Sequence, residues 1–254
     1  RRSVVCHENE CAMNPAESKA VAVVLLSGGL DSATAAAWAL REGYSLVALS
    51  FDYGQRHRIE LDCAKKIASS LGISDHVILP VDLRAFGGSA LVDPDIDVPK
   101  GRTSDDMATE IPETYVPARN TIFLSLALAM AETRSAESIV LGVNAIDYSG
   151  YPDCRPEYLD AFRTVARLAT KASVSGHPIQ ILAPLISLTK KDIIQLGLQL
   201  RMNFALTNSC YDPKPSGQPC NECDSCTLRA EGFASAGVID PLLVKNCEDF
   251  DANQ

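Results

Sequence analysis

Apolar residues in this 254-residue chain fall in short runs separated by helical repeats, and that rhythm predicts its elements. Val21 to Leu26 is an almost unbroken apolar, β-branched run, the pattern of a strand buried on both faces of a parallel sheet. It breaks at Ser27-Gly28-Gly29-Leu30-Asp31-Ser32 into an alanine-rich helix, Ala33 to Arg41, with Gly43 placed to end it. Leu46 to Phe51 predicts a second strand. The spacing of Leu61, Ala64, Ile67, Ala68 and Leu71 predicts a helix over Arg58 to Leu71, stopped by Gly72, and His76 to Val81 reads as a third strand. From Arg84 to Pro117 periodicity gives way to Gly, Pro and Asp, which in a connection this long points to a lid or an insertion. Order resumes as a helix over Arg119 to Arg134, a strand over Ser138 to Val143, a helix over Pro156 to Ser173, a strand over Ile179 to Leu182 and a helix over Thr189 to Leu200.

Strands alternating with helices predict an α/β fold, a doubly wound parallel sheet of Rossmann-like type. Such sheets bind ligands beyond the carboxyl ends of their strands. Three polar clusters fall there: Ser27 to Ser32, Asp52 to His57, and Asn144 to Arg155. The expected organisation is a flexible tail over 1–19, an α/β domain over 20–205 with an insertion at about 84–118, and a small C-terminal lobe over 206–247.

Charge narrows the choice of partner. A net charge of -9 disfavours a broad electrostatic grip on nucleic acid or an anionic membrane, so small molecules are the expected partners, and a homodimer is the assembly entertained. The longest apolar stretch, Ile122 to Ala131, is too short to span a bilayer. The first nineteen residues carry Glu8, Glu10 and Glu17 and no apolar core, unlike a secretory signal. Four of nine cysteines crowd into Cys210 to Cys226, a distribution that favours a metal site in a reducing cytoplasm over a disulfide framework.

The loop at Ser27 to Ser32 has the chemistry of a phosphate cradle. Gly28 and Gly29 let successive amides converge on an anion, the following helix offers its unpaired N–H groups, and Ser27 and Ser32 add hydroxyls. Asp31 is suited to a magnesium ion bridging phosphate oxygens. No Gly-Lys-Ser/Thr follows, so this is no Walker A loop, and the third glycine of a dinucleotide fingerprint is missing. Ser-Gly-Gly-x-Asp-Ser is the PP-loop pattern of enzymes that split ATP into AMP and pyrophosphate. Asp52, at a strand end, is a candidate for metal, ribose or base contacts, and Lys190, at a helix start, is either a phosphate clamp or a solvated cation.

Cys210, followed after nine residues by Cys220-x2-Cys223-x2-Cys226, offers four thiolates at a spacing suited to tetrahedral zinc. Four sulfurs close the shell, which makes the role structural; an iron–sulfur cluster is the main competitor. Cys154, beside Arg155, is a nucleophile or a structural thiol, and His57 either touches the ligand or caps a polar turn.

In order, the blocks SGGLDS, FDYGQRH, YVPARNTIFLSLA, VNAIDYSGYPDCRPEYLDAF, APLISLTKKDI and NSCYDPKPSGQPCNECDSCTLRAEG resemble the 7-cyano-7-deazaguanine synthase family, from about Ala20 to Val244. The chain departs from the family in its N-terminal tail and in the region from Arg84 to Pro117. The resemblance implies an adenine nucleotide alpha hydrolase-like fold and an ATP-dependent carbon–nitrogen ligase. Such an enzyme turns 7-carboxy-7-deazaguanine and ammonia into the nitrile through adenylated intermediates and an amide, on the path to queuosine or archaeosine. It also implies one structural Zn2+ on Cys210, Cys220, Cys223 and Cys226, and ATP with Mg2+ on a loop running from Leu26, Ser27, Gly28 and Gly29 through Leu30, Asp31 and Ser32 to Ala33, Thr34, Ala35 and Ala36. Ser27, Asp31, Ser32 and Lys190 become the catalytic set. For the purine-like ring, Asp153 is a candidate acceptor from the exocyclic amine, Arg155 or Arg119 a partner for the carboxylate, and Tyr148 or Tyr151 a stacking surface. The α/β core and the lobe fill the chain and leave no glutaminase domain, so free ammonia is the expected donor. Another PP-loop enzyme, a deazaguanine-transferring ligase or a tRNA thiolase, is the alternative, although a thiolase calls for a basic surface. A zinc-bearing nucleic-acid module does not explain SGGLDS.

Overall fold

Alternate side chains of the first strand, β1 (Val21–Leu25), enter two different cores, because both faces of the sheet are covered. Ala22 and Val24 join one core; Val23 joins the other. The same division runs through β2 (Ser45–Asp52), where Leu46 and Ala48 oppose Val47, Leu49 and Phe51. This is a computed structural model, and it describes residues 19–103, 106–107, 110–146 and 150–244. The tail expected over 1–19, apart from Lys19, and Tyr148 lie outside the described residues.

Five parallel strands lie in the order β3-β2-β1-β4-β5, with β3 (Asp75–Pro80), β4 (Ser138–Val140) and β5 (Gln180–Leu182) completing the sheet. Val23 stands between Val47 and Ile139 in register. The chain winds outward to β3 and then returns to pair β4 with β1. That reversal opens a crevice between β1 and β4 at the carboxyl edge, where doubly wound sheets take ligands.

Helices α1 (Leu30–Arg41) and α2 (Ile59–Ser70) pack on one face, and α3 (Arg119–Thr133) and α4 (Pro156–Ala169) on the other. The predicted helix over Pro156 to Ser173 is two helices. Thr170 leaves helical geometry at φ -112°, ψ 143°, and its hydroxyl accepts from the Ser173 amide to cap α5 (Lys171–Val174). A further helix, α6 (Lys190–Gln199), carries a capping box in which Thr189 and Asp192 bond reciprocally. The sequence reading places no element beyond Leu200, whereas the structure adds α7 (Asp224–Ala236), packed on α6 through Gly232, where an added Cβ would lie 2.4 Å from Lys190 Cγ. No helix among the described residues is long and apolar enough to cross a membrane.

Candidate active site and metal centre

Gly28 turns the chain out of β1 at φ 93°, a conformation open to glycine, and leaves no room for a side chain: a Cβ there would lie 2.1 Å from the Glu60 carbonyl of α2. Gly29 caps α1 in extended geometry, so α1 begins at Leu30 and its first turn faces the crevice. Hydroxyls knit the loop. Ser27 Oγ lies 3.0 Å from Ser32 Oγ, the Gly29 amide donates to Ser27 Oγ, and Ser32 Oγ donates to the Gly29 carbonyl. Distant residues brace it: the Asn208 amide donates to the Gly28 carbonyl, and the Leu30 amide to Ser209 Oγ. Gly142, just after β4, presses on the first turn of α1, where a Cβ would sit 2.7 Å from the Asp31 carbonyl carbon.

Asp31, expected as a magnesium ligand, is paired with a protein cation. Lys190 Nζ, at the start of α6, reaches both carboxylate oxygens of Asp31 at 2.7 and 2.8 Å, and Lys190 is only 8 % exposed. Beyond the loop a cavity of about 220 Å³ opens, lined by Ser27, Gly29, Asp31 and Ser32 together with Tyr53, Glu60, Arg119, Phe123, Tyr151 and Tyr211. Phe51 and Phe123 stack at 3.9 Å, and Tyr53 tilts against Phe123. Arg119 lies 5.9 Å from the centre of the Tyr53 ring. Burial works against its charge, yet Tyr53, Tyr151, Tyr211 and Asp153 hold its pKa above the ordinary value. Burial, with Glu60 adding to it, pushes the Tyr53 phenol up to about 12. Ala118, immediately before Arg119, takes a left-handed φ of 55°, so the backbone is strained at the point where it presents this cation.

Other sequence-predicted residues stand off the cavity. Ala33, Thr34, Ala35 and Ala36 are fully buried in the body of α1, because only the first turn of a helix reaches a ligand at its end. Asp52 is held by Arg58 and does not line the cavity. Asp153 is buried behind the wall, where its carboxylate accepts from the Asn120 amide, and Arg155 is exposed away from the wall. Tyr151 lines the cavity with its hydroxyl 2.7 Å from Thr114 Oγ1. Cys154 lines it too, but burial pushes its thiol up to about 12, against a nucleophilic role. Sequence reasoning passed over Gly142, Glu60, Asn208 and Ser209. A glycine after an apolar strand was the visible signal for the first; the others have meaning only through contacts far along the chain.

The four sulfurs of Cys210, Cys220, Cys223 and Cys226 lie within 4.8 Å of one another. A tetrahedral ion at ~2.3 Å from each ligand sets sulfurs about 3.8 Å apart, so the cluster fits a metal such as zinc. Asn221 adopts φ 65° to turn the Cys220–Cys223 knuckle, aiming the Glu222 and Cys223 amides at Cys220 Sγ. Cys220 donates its amide to Cys210 Sγ. Contacts with Cys210 and Cys226, and the Tyr211 amide, push the Cys223 thiol down, while the same sulfur contacts push Cys210 and Cys226 up. The long connection after β3 locks onto this knuckle: Lys100 pairs as a bridge with Cys223, and Arg102 reaches Asp224 at 3.0 Å.

The family model described as queuosine biosynthesis protein QueC matches residues 21–237. A 7-cyano-7-deazaguanine synthase of Desulfatibacillum aliphaticivorans is 60% identical over 88% of this chain and 96% of its own length. One from Kineococcus radiotolerans is 59% identical over 87% of this chain and 96% of its own. A solved 4-thiouridine synthetase–RNA complex with bound ATP aligns at TM-score 0.46 and 19% identity, over 85% of this chain and 54% of that one.

Proposed function

The chain belongs to the QueC family of queuosine biosynthesis proteins, and on that premise we propose that it makes 7-cyano-7-deazaguanine from 7-carboxy-7-deazaguanine, ammonia and ATP. A carboxylate is a poor electrophile, and its oxygen becomes a leaving group once it has attacked the α-phosphorus of ATP and expelled pyrophosphate. Ser27, Ser32 and the free amides at the start of α1 hold that pyrophosphate. Asp31, oriented by Lys190, would hold magnesium, and the ion would supply charge neutralisation at the transferring group. Arg119 pairs with the substrate carboxylate, a role that its place in the cavity wall supports over Arg155. The faces of Phe123, Tyr53 and Tyr151 receive the planar ring.

Ammonia displaces AMP to give the amide, and a second adenylation, now on the amide oxygen, lets AMP leave as the nitrile forms. Catalysis on this reading is positioning and electrostatics, with one loop serving both activations. The cysteine cluster is a structural zinc site, and the described cysteines, all unbridged, support a reducing cytoplasmic setting.

The observation that carries the reading is a phosphate-type loop opening into the same cavity as an aromatic wall and a caged arginine. The test is incubation of zinc-loaded protein with 7-carboxy-7-deazaguanine, ATP, magnesium and ammonium, followed by mass spectrometry. Nitrile and AMP in a one-to-two ratio are expected; absence of both sinks the proposal.

A further inference from the structure

Amide formation and nitrile formation both release protons, and the cavity contains few groups able to accept them. Among the described residues two carboxyl groups line it, and Asp31 is occupied by Lys190. The other is Glu60, in the first turn of α2, whose backbone carbonyl already touches the glycine loop at Gly28. Its half-buried carboxyl makes no hydrogen bond or ion pair among the described residues. It faces the positive charge of Arg119 from α3 and the Tyr53 phenol beyond β2. Of the other lining groups, Cys154 and Tyr53 titrate far above neutrality through burial, and His57, whose buried Nε2 lies 3.5 Å from Asp212 without a hydrogen bond, is the competing base.

Resting on the proposed function above, we infer that Glu60 is the catalytic base of nitrogen transfer, receiving the proton of ammonium and, later, the proton lost as the nitrile forms. In the first step ammonium gives a proton to the Glu60 carboxylate; the freed ammonia attacks the acyl-adenylate carbon, the carbon–oxygen bond to AMP breaks, and a second nitrogen proton leaves to solvent. In the second, the adenylated amide has already lost one N–H proton. Glu60 takes the remaining one, the nitrogen electron pair forms the third carbon–nitrogen bond, and AMP departs. Burial raises the carboxyl to about 7, matched to proton exchange near neutral pH.

The experiment separates activation from nitrogen transfer. The wild type is first assayed for pyrophosphate–ATP exchange dependent on 7-carboxy-7-deazaguanine; failure there overturns the functional reading and not the role of Glu60. In Glu60→Gln, with zinc content matched to wild type, exchange is expected to persist while amide formation from ammonium falls by about 100-fold or more. Hydroxylamine, a nucleophile that is already neutral, is expected to restore acyl transfer as hydroxamate, and raising the pH toward deprotonation of ammonium is expected to narrow the deficit. Amide formation from ammonium at the wild-type rate in Glu60→Gln overturns the inference. So does an equal loss with ammonium and hydroxylamine, which would mark a purely structural role, or a selective ammonium defect in His57→Asn in place of Glu60→Gln.

Discussion

The glycine loop at Ser27–Ser32 and the cysteine knuckle at Cys220–Cys226 both gather backbone amides onto a side-chain acceptor, serine hydroxyls in one and a sulfur in the other, yet they are held in opposite ways. The loop takes its shape from far along the chain: the Glu60 carbonyl behind Gly28, Gly142 behind Asp31, and Asn208 and Ser209 at its rim. The knuckle is local, with Asn221 in left-handed geometry and amides within three residues of Cys220 bonded to its sulfur. One turn is tertiary and tolerates no added atom at Gly28; the other is a short-range fold whose completion depends on an ion. They meet at Asn208. Its amide bonds the Gly28 carbonyl while its side chain accepts from the Cys210 amide and donates to the Gly217 carbonyl. The cysteine cluster is therefore tied to the wall that shapes the glycine loop.

Metal loss gives the largest expected effect, since structural zinc contributes on the order of 10 kcal/mol to folding in isolated fingers. Cys223→Ser or chelation is expected to remove bound zinc and to raise hydrogen exchange through 207–236. Exchange should then rise at 27–32 as well, with β2 and β3 still protected. Unchanged exchange at 27–32 would break the link between the two turns. Next is Gly28→Ala, which combines a left-handed φ with overlap on the Glu60 carbonyl. A loss of at least about 3 kcal/mol is expected, along with AMP formation, while zinc content stays near one per chain. Gly29→Ala is the control: its nearest neighbour, Ser209 Oγ, is 3.4 Å from the added Cβ, so denaturant melts should barely move.

The same contrast explains what could be read from the sequence. The loop and the knuckle were legible because each lies within a few consecutive residues, strand-turn-helix in one case and thiol spacing in the other. The parallel sheet was legible from alternation. Its strand order depends on where the chain reverses after β3, and Gly142 matters only because that reversal brings β4 against α1. Glu60 looks like an ordinary acidic residue in a helical first turn until α3 sets Arg119 opposite it. Helix geometry corrects the reach of the motif: matched residues run on to Ala36, but the chain has turned into the core by Ala33. Thr170 divides a helix whose apolar spacing runs straight through the break, because the competing signal is one hydroxyl bond to Ser173.

Asn208→Ala cuts the shared strut. The residue is 2 % exposed, so the buried Cys210 amide loses its partner away from water and the half-buried Gly217 carbonyl loses a donor, at a cost of about 1–3 kcal/mol. A raised KM for ATP with zinc retained is expected; an unchanged KM means the strut serves stability alone. Glu60 makes the tertiary side of the comparison pH-dependent. Burial raises its carboxyl from 4.5 to about 7, so the folded state binds a proton that the unfolded chain has already released between those values. The associated stability is complete below about pH 4.5 and is lost as pH rises through 7. Glu60→Gln should therefore exceed wild type by about 2 kcal/mol in urea melts at pH 8, a gap narrowing toward pH 5. A gap independent of pH would assign the gain to packing.

The smallest effect tests how much of the loop's charge arrangement is carried by local structure. Thr189 closes the capping box of α6, and the next residue, Lys190, holds Asp31 from across the crevice. Thr189→Ala removes the hydroxyl that accepts from the Asp192 amide, for about 1 kcal/mol. Lys190, however, is also packed beneath Gly232 of α7, so its ammonium has a second restraint. If that tertiary contact governs its position, as contacts from afar govern the glycine loop, Thr189→Ala lowers the melting temperature by a few degrees and leaves pyrophosphate–ATP exchange intact. A matching fall in exchange would instead show that Lys190 depends on its cap, which would make this edge of the loop as local as the knuckle.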